Sequence, residues 1–293
     1  IINVNSTEAG TTWNLLNVNN PYTPGRAGHS SLVYNNKMWV IGGVSENGYL
    51  SDVWSSSDGV NWTQVTATAQ FGSRSGHTSV VFNNKMWVIG GAKYTDLNHD
   101  AWYSEDGVDW VLAASNIPYS IFSGGYAASC VVFNNKMWLI DSGNSGIYNS
   151  SDGISWQKIS SNLSASSRMY QTSIVFNNKI WLIGGRDKND IWCSTDGINW
   201  VQVLAKAPFT QNIYMASVVY NNKIYIIAGG IVTGYINTST NSVWNSSDGI
   251  NWKEIAANPK FSARREHSSL VFDNKIWMMG GRSGSGNDVW YSQ

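Results

Sequence analysis

The segment Phe82-Asn83-Asn84-Lys85-Met86-Trp87-Val88-Ile89-Gly90-Gly91 has a recognisable copy at five other places along the chain. Its Asn/Asp-Asn-Lys core begins at Asn35, Asn83, Asn134, Asn177, Asn221 and Asp273, giving spacings of 48, 51, 43, 44 and 52 residues. Periods of this length belong to propeller blades, in which each repeat is a small sheet that must stack on its neighbours to bury both faces. A repeat running from end to end leaves no place for a boundary, so residues 1–293 are expected to form one domain.

One repeat contains four strand signals. In the first copy Ser30–Tyr34 is a short β-prone run, Asn35-Asn36 is a two-residue turn, and residues 37–41 are a second run closed by Gly42-Gly43. Asn tolerates the left-handed backbone that a type I′ hairpin requires. After a connection of variable length, Asp52-Val53-Trp54-Ser55 opens a third strand, Asp58-Gly59 marks a turn, and Asn61-Trp62-Thr63-Gln64-Val65 reads as a fourth. The fold class is therefore all-β: a six-bladed β-propeller with four antiparallel strands per blade.

The tryptophans fit that assignment. All 16 fall in second, third or fourth strands at equivalent places, as in Trp39, Trp54 and Trp62 of the first blade. Repeated aromatics at equivalent places are what blade-on-blade packing needs, so packing rather than sugar stacking is their expected role. The chain ends in a third strand, Asp288-Val289-Trp290-Tyr291-Ser292-Gln293, while Thr11-Thr12-Trp13-Asn14-Leu15-Leu16 matches an isolated fourth. The last blade is expected to be closed by this N-terminal strand.

Gly28-His29, the Gly42-Gly43 pair, Asp52-Val53-Trp54 and Trp62 together resemble the Kelch repeat, and the resemblance extends over all six copies. Arg26-Ala27-Gly28-His29, Arg74-Ser75-Gly76-His77 and Arg264-Arg265-Glu266-His267 keep that family's Arg and His. The Ser57-Asp58-Gly59 turn before Trp62 departs from the Kelch pattern and is similar to a shortened Asp-box, a structural turn that implies no sialidase activity. Propellers host many unrelated activities, so the resemblance fixes the fold and leaves the function to particular residues.

Up-and-down blades separate the connections onto two rims. The turns within each hairpin lie on one, where Lys37, Lys85, Lys136, Lys179, Lys223 and Lys275 alternate with turn acids such as Asp58 and Asp106. The other carries all seven Arg: Arg26, Arg74, Arg168, Arg264 and Arg265 between blades, with Arg186 and Arg282 after second strands. Kelch propellers use that rim for partners and substrates, which is what the resemblance implies here. Arg suits bidentate recognition of carboxylate and phosphate, so this rim is the candidate site for an acidic ligand. The competing reading is a framework one, in which these Arg pair with loop carbonyls and with Asp52, Asp100, Asp190 and Asp288.

Differences between copies narrow the candidates. At the Arg position the blades read Arg26, Arg74, Gly125, Arg168, Asn212 and Arg264; at the His position they read His29, His77, Ala128, Gln171, Met215 and His267. Tyr126, Tyr170 and Tyr214 stand beside the first strands of blades three to five, and Asp141 replaces the first Gly of its Gly-Gly pair. The candidate ligand-binding set is therefore Arg26, His29, Arg74, His77, Tyr126, Arg168, Tyr170, Tyr214, Arg264 and His267.

The leading expectation is a non-catalytic binding module that recognises an acidic glycan, small molecule or carboxylate-bearing peptide. The alternative is an enzyme resembling the Kelch-type sialic acid mutarotases, with Glu266 or Asp141 moving protons and Arg168 or Arg264 holding the substrate carboxylate. A closed pocket over either acid would favour catalysis. A spacer or protein-interaction propeller within a larger polypeptide is a third reading. No cofactor or metal is expected: neighbouring blades hold His29, His77 and His267 too far apart for the roughly 2.0–2.1 Å ligand distances of zinc. The copper site of galactose oxidase, which shares Kelch-like blades, cannot be assembled from these residues.

Composition adds exclusions. Formal net charge is zero and 13% of residues are charged, so neither nucleic acid nor an anionic membrane surface is favoured. No apolar run approaches the roughly 18 residues needed to cross a bilayer, and the first residues show no leader. Cys130 and Cys193 fall on different strands of different blades and are expected as free thiols. Low charge, abundant Asn and Ser, and triplets such as Asn61-Trp62-Thr63 and Asn245-Ser246-Ser247 lean towards a secreted or cell-surface protein.

Overall fold

In the computed structural model, residues 8–16, 25–118, 128–141, 146–161, 163, 168–210, 213–233, 236–282 and 286–293 are described. They form six four-stranded antiparallel sheets, each ordered first to fourth strand, and a small two-stranded ribbon, Ala92–Lys93 with Asp96–Leu97. First strands of consecutive blades pack side by side around the ring, and the first blade's packs on the sixth's to close it. No helix is present among the described residues.

The first hairpin turn forms as the Asn pairs require. Asn35 and Asn36 adopt φ of 48° and 56°, and every copy through Asp273 and Asn274 repeats this left-handed pair. Just past it, the second-strand Trp donates its indole N–H back across the hairpin, as Trp39 does to the Tyr34 carbonyl at 3.0 Å. The next hairpin departs from expectation. Asp58-Gly59 lies within a longer loop, in which Ser56 Oγ accepts from Gly59 N at 2.8 Å and Asp58 Oδ1 accepts from Val60 N and Asn61 N at 2.8 and 2.7 Å. The carboxylate replaces the cross-strand bonds that a two-residue turn would supply.

That loop also explains its glycine. A Cβ on Gly59 would stand 2.2 Å from the Trp277 ring of the preceding blade, and Gly107, Gly153, Gly197 and Gly249 meet Trp39, Trp87, Trp138 and Trp181 in the same way. The Trp repeat and the Asp-Gly repeat are thus two halves of one contact between blades. Apolar clusters follow suit: Leu32, Trp39 and Ile41 of the first blade pack with Met86, Val88 and Trp110 of the second. Burying such aromatic area dominates core energetics.

The sixth blade closes as expected. Asn14–Leu15 pairs with Tyr291 and Trp290, Gly10 N donates to Ser292 Oγ at 2.8 Å, and Trp13 Nε1 donates to the Gly10 carbonyl at 2.9 Å. Residues 10–13 therefore reproduce the Gly59-to-Trp62 turn across the break in the chain. In blades one and five the second strand does not end at the glycines. Lys37–Ser45 and Lys223–Thr233 continue past register shifts at Ile41/Gly43 and Ile227/Gly229, bulges that bend the hairpins onward.

Candidate functional site

Four guanidinium groups are committed to the framework. Arg26 reaches Asp52 at 2.7 and 2.9 Å and the Gly42 carbonyl at 3.0 Å. Arg74 with Asp100, Arg168 with Asp190 and Arg264 with Asp288 repeat this fork, each also donating to the carbonyl of the first glycine, Gly90, Gly184 or Gly280. The same Asp then accepts from a third-strand indole, Trp54, Trp102, Trp192 or Trp290, at 2.7–2.8 Å. All four Arg are at most 3% exposed. Burial pushes the carboxyls of Asp190 and Asp288 up, but hydrogen bonds from Arg168 or Arg264 and from the indole, with the guanidinium charge, bring both below the usual carboxylate value. This is the framework arrangement, a buried clamp linking interblade loop, second strand and third strand.

A cavity of about 160 Å³ opens at the axis where the first strands begin. All six blades line it, with Gly28 and His29, Gly76 and His77, Ala128, Tyr170 and Gln171, Tyr214 and Met215, and Glu266 and His267. Of the sequence candidates, the structure brings together His29, His77, His267, Tyr170, Tyr214 and Glu266. Arg26, Arg74, Arg168 and Arg264 are not among the lining residues, and neither is Asp141, which is 2% exposed. Tyr126, with Gly125 and Asn212, lies outside the described residues.

The lining is built on one repeat position. Gly28, Gly76, Tyr170, Tyr214 and Glu266 occupy equivalent places and share positive φ, 61°, 67°, 68°, 53° and 58°. Backbone bonds pass from blade to blade through it: Gly76 N to Gly28 O at 2.8 Å, Gly28 N to Glu266 O at 2.9 Å, and Tyr214 N to Tyr170 O at 3.0 Å. Glycine meets this geometry without strain, whereas a Tyr or Glu costs on the order of 1–3 kcal/mol there. Tyr170, Tyr214 and Glu266, which bear this strain, all line the cavity. Tyr170 and Tyr214 stack, with ring centroids 4.2 Å apart and planes at 27°.

Glu266 carries the charge of the mouth. Its carboxylate meets Arg282 Nε at 2.8 Å and Arg265 Nε at 3.7 Å, two guanidinium groups on one acid. Arg282 is half exposed and Arg265 less so. Both Arg fall on this rim in the sequence outside the candidate set; Arg282 has its equivalent in Arg186 of blade four, and Arg265 has no Arg at its position in the other blades. The repeated left-handed position was the signal that could have found Glu266 and the tyrosines together.

The three histidines are neutral. Burial pushes His29, His77 and His267 down, and the nearby charges of Arg26, Arg74 and Arg264 push the same way, so His77 and His267 fall to about 3. His29 Nε2 lies 2.8 Å from Ser268 Oγ and His77 Nε2 lies 2.8 Å from Ser30 Oγ, each serine belonging to the preceding blade. No group of three metal-ligating side chains suited to an ion occurs among the described residues. Cys130 and Cys193 are free and buried, and burial pushes the Cys130 thiol up to about 12. Asn245 is 3% exposed and donates to Glu8 at 2.9 Å, so its triplet is not an accessible acceptor in the folded chain.

Comparison with known proteins matches the KLHDC2/KLHL20/DRC7 Kelch-repeats domain to residues 2–153, more than half of the chain. The DUF6242 beta propeller domain matches residues 106–228. The solved structure of YjhT superposes with a TM-score of 0.71 at 13% identity, covering 92% of this chain and 94% of that one, a likeness of fold. No curated protein matches the sequence.

Proposed function

The chain belongs to the Kelch-repeat propeller family, and from that premise we propose that it is a non-catalytic binding module whose ligand enters the axial mouth. The observation that carries this reading is the convergence of all six blades on one cavity of about 160 Å³, with strained Tyr170, Tyr214 and Glu266 in its wall. Strain of that kind clusters at ligand-binding positions. The volume is well below the roughly 300–1,000 Å³ of sites that enclose a whole small molecule. It suits one protruding group of a larger peptide or glycan. The finer part of the proposal is an acidic ligand whose carboxylate shares with Glu266 the guanidinium groups of Arg282 and Arg265, which stand behind Glu266 rather than in the cavity lining, Arg265 also donating to Ser239 Oγ at 3.1 Å, while the adjacent group rests on the Tyr170–Tyr214 stack.

One observation favours a mutarotase-like reading: Glu266 lines the cavity. Against it, the Glu266 carboxylate is held by Arg282, and the second acid, Asp141, does not reach the lining.

A thermal-shift screen against uronic and sialic acids, neutral sugars and acidic peptides tests the proposal, because a ligand of the folded state raises the melting temperature. Tyr214→Asn, which keeps a residue tolerant of positive φ, and Arg282→Ala should abolish the shift while melting within a few degrees of the parent. Shifts that survive both substitutions would place binding elsewhere.

A further inference from the structure

One two-residue turn carries a side chain that its backbone does not favour. The first hairpin of every blade places Asn or Asp at the left-handed first turn position, with φ of 45–49° from Asn35 to Asp273. The small ribbon Ala92–Lys93 with Asp96–Leu97 turns through Tyr94 and Thr95, and Tyr94 takes that position at φ 55°. Asn meets this backbone readily, whereas a bulky residue there is strained. The turn alone therefore gives no reason for Tyr94. Nor is its ring buried in compensation: it is 68% exposed, the most of any large apolar side chain among the described residues.

A second element reaches out to meet it. The hairpin of blade one, Lys37–Ser45 with Gly48–Ser56, runs on past its bulge, and its Tyr49 packs edge to face on Tyr94, with ring centroids 4.9 Å apart and planes at 63°. Aromatic contacts such as Phe71 with Trp110 are buried, whereas this one stands in the open. Both tyrosines are tied to the lip of the mouth. Val44, the strand partner of Tyr49, bridges Ala27, and Ala92, two residues before Tyr94, bridges Ser75. Ala27 and Ser75 directly precede Gly28 and Gly76, which line the cavity. The pair thus belongs to blades one and two, across the ring from the Tyr170–Tyr214 stack of blades four and five.

We propose that Tyr49 and Tyr94 form a second binding subsite, at the lip and separate from the axial cavity, which takes a neutral pyranose ring by stacking its C–H face on Tyr94. Charge at the turn is balanced, because Lys93, the chain neighbour of Tyr94, stands opposite Asp96 across the ribbon. A free anion or cation gains little there. The area is small as well: a protein partner covers roughly 800 Å² of each surface, more than two tyrosine rings supply. A pyranose has one apolar face and a border of hydroxyls. Tyrosine offers the same combination, an apolar ring with a polar tip, on turns that also expose Glu46, Asn47 and Thr95 to hydroxyl groups.

The probes are the methyl glycosides of glucose, galactose and N-acetylglucosamine, with tetramethylammonium chloride as the cationic rival for the tyrosine rings. The readouts are the Tyr94 ring resonances, assigned through Tyr94→Phe, and the dissociation constant. At least one glycoside should move those resonances, with magnetisation passing from the ring to one face of the sugar, while tetramethylammonium does not. Tyr94→Asn, which keeps a residue suited to the turn, should weaken that glycoside at least tenfold while melting within a few degrees of the parent. Tyr214→Asn, in the mouth, should leave its binding unchanged. Glycoside binding that survives Tyr94→Asn, a response to tetramethylammonium in place of the glycosides, or silence from all three glycosides overturns the inference. The axial reading stands or falls apart from this one, since its acidic ligands should be lost in Tyr214→Asn and Arg282→Ala and kept in Tyr94→Asn.

Discussion

Blades one, two, four and six carry the Arg–Asp–Trp clamp, and blades three and five do not. The residues are lost as sets: where the Arg position is Gly125 the Asp position is Gly146 and the third-strand aromatic is Tyr148, and where it is Asn212 the Asp position is Ser242. In blade five the Trp remains as Trp244, and its Nε1 has no partner among the described residues. Joint loss is what a mutual pairing requires, since a buried guanidinium without its carboxylate, or the reverse, costs several kcal/mol. A ligand-binding Arg would have no reason to disappear together with an Asp on another strand. The difference between blades therefore assigns Arg26, Arg74, Arg168 and Arg264 to the framework.

The largest effect should come from breaking a clamp. Arg264 is fully buried, so Arg264→Ala should destabilise the ring by about 3–5 kcal/mol in denaturant unfolding. A cost below about 1 kcal/mol would mean the clamp is ornamental. Acid sharpens the same contrast, because the histidines and then, at lower pH, the clamp acids resist protonation in the folded chain. The folded values of His29, His77 and His267 lie below the ordinary 6.5, so as pH falls through 6.5 the unfolded chain takes up protons that the folded chain refuses. Stability should then decline, by up to about 1.4 kcal/mol per pH unit for each His. Asp190 and Asp288 extend the loss, since their folded values lie below 3.8 and their contribution disappears as pH falls through those values. Flat stability between about pH 7 and pH 5 would show that the histidines protonate in place.

The smallest effect compares two tryptophans. Trp290→Phe in clamped blade six removes a 2.7 Å bond to Asp288 and should cost about 1 kcal/mol beyond any packing change. Trp244→Phe in unclamped blade five removes an unpaired N–H and should leave stability within about 0.5 kcal/mol of the parent. Equal costs, read by parallel denaturant titrations, would erase the distinction between the two kinds of blade.

The propeller was legible because its determinants are local: Asn35-Asn36 fixes a turn by its own backbone preference, and the 16 Trp recur with the blade period. The rim of each Arg was legible too, but the direction of a guanidinium is decided by which acid it meets, and Arg26 meets Asp52 on another strand. Sequence position alone left the ligand and framework readings open. The paired changes at Gly125/Gly146 and Asn212/Ser242 were the available sign. The mouth was half legible. His29, His77, Tyr170 and Tyr214 stood out as variations on a repeat, whereas Arg265 and Arg282 became relevant only through Glu266, which the ring places beside them.

The most direct test of the framework assignment is a double-mutant cycle on Arg264 and Asp288. Equilibrium unfolding would be measured for the parent, Arg264→Ala, Asp288→Ala and the pair together. A structural clamp predicts that the double variant is more stable than the sum of the single losses allows, with a coupling of roughly 1.5–3 kcal/mol. Additive losses, with coupling near zero, would contradict the account and return the arginines to the list of residues available to a ligand.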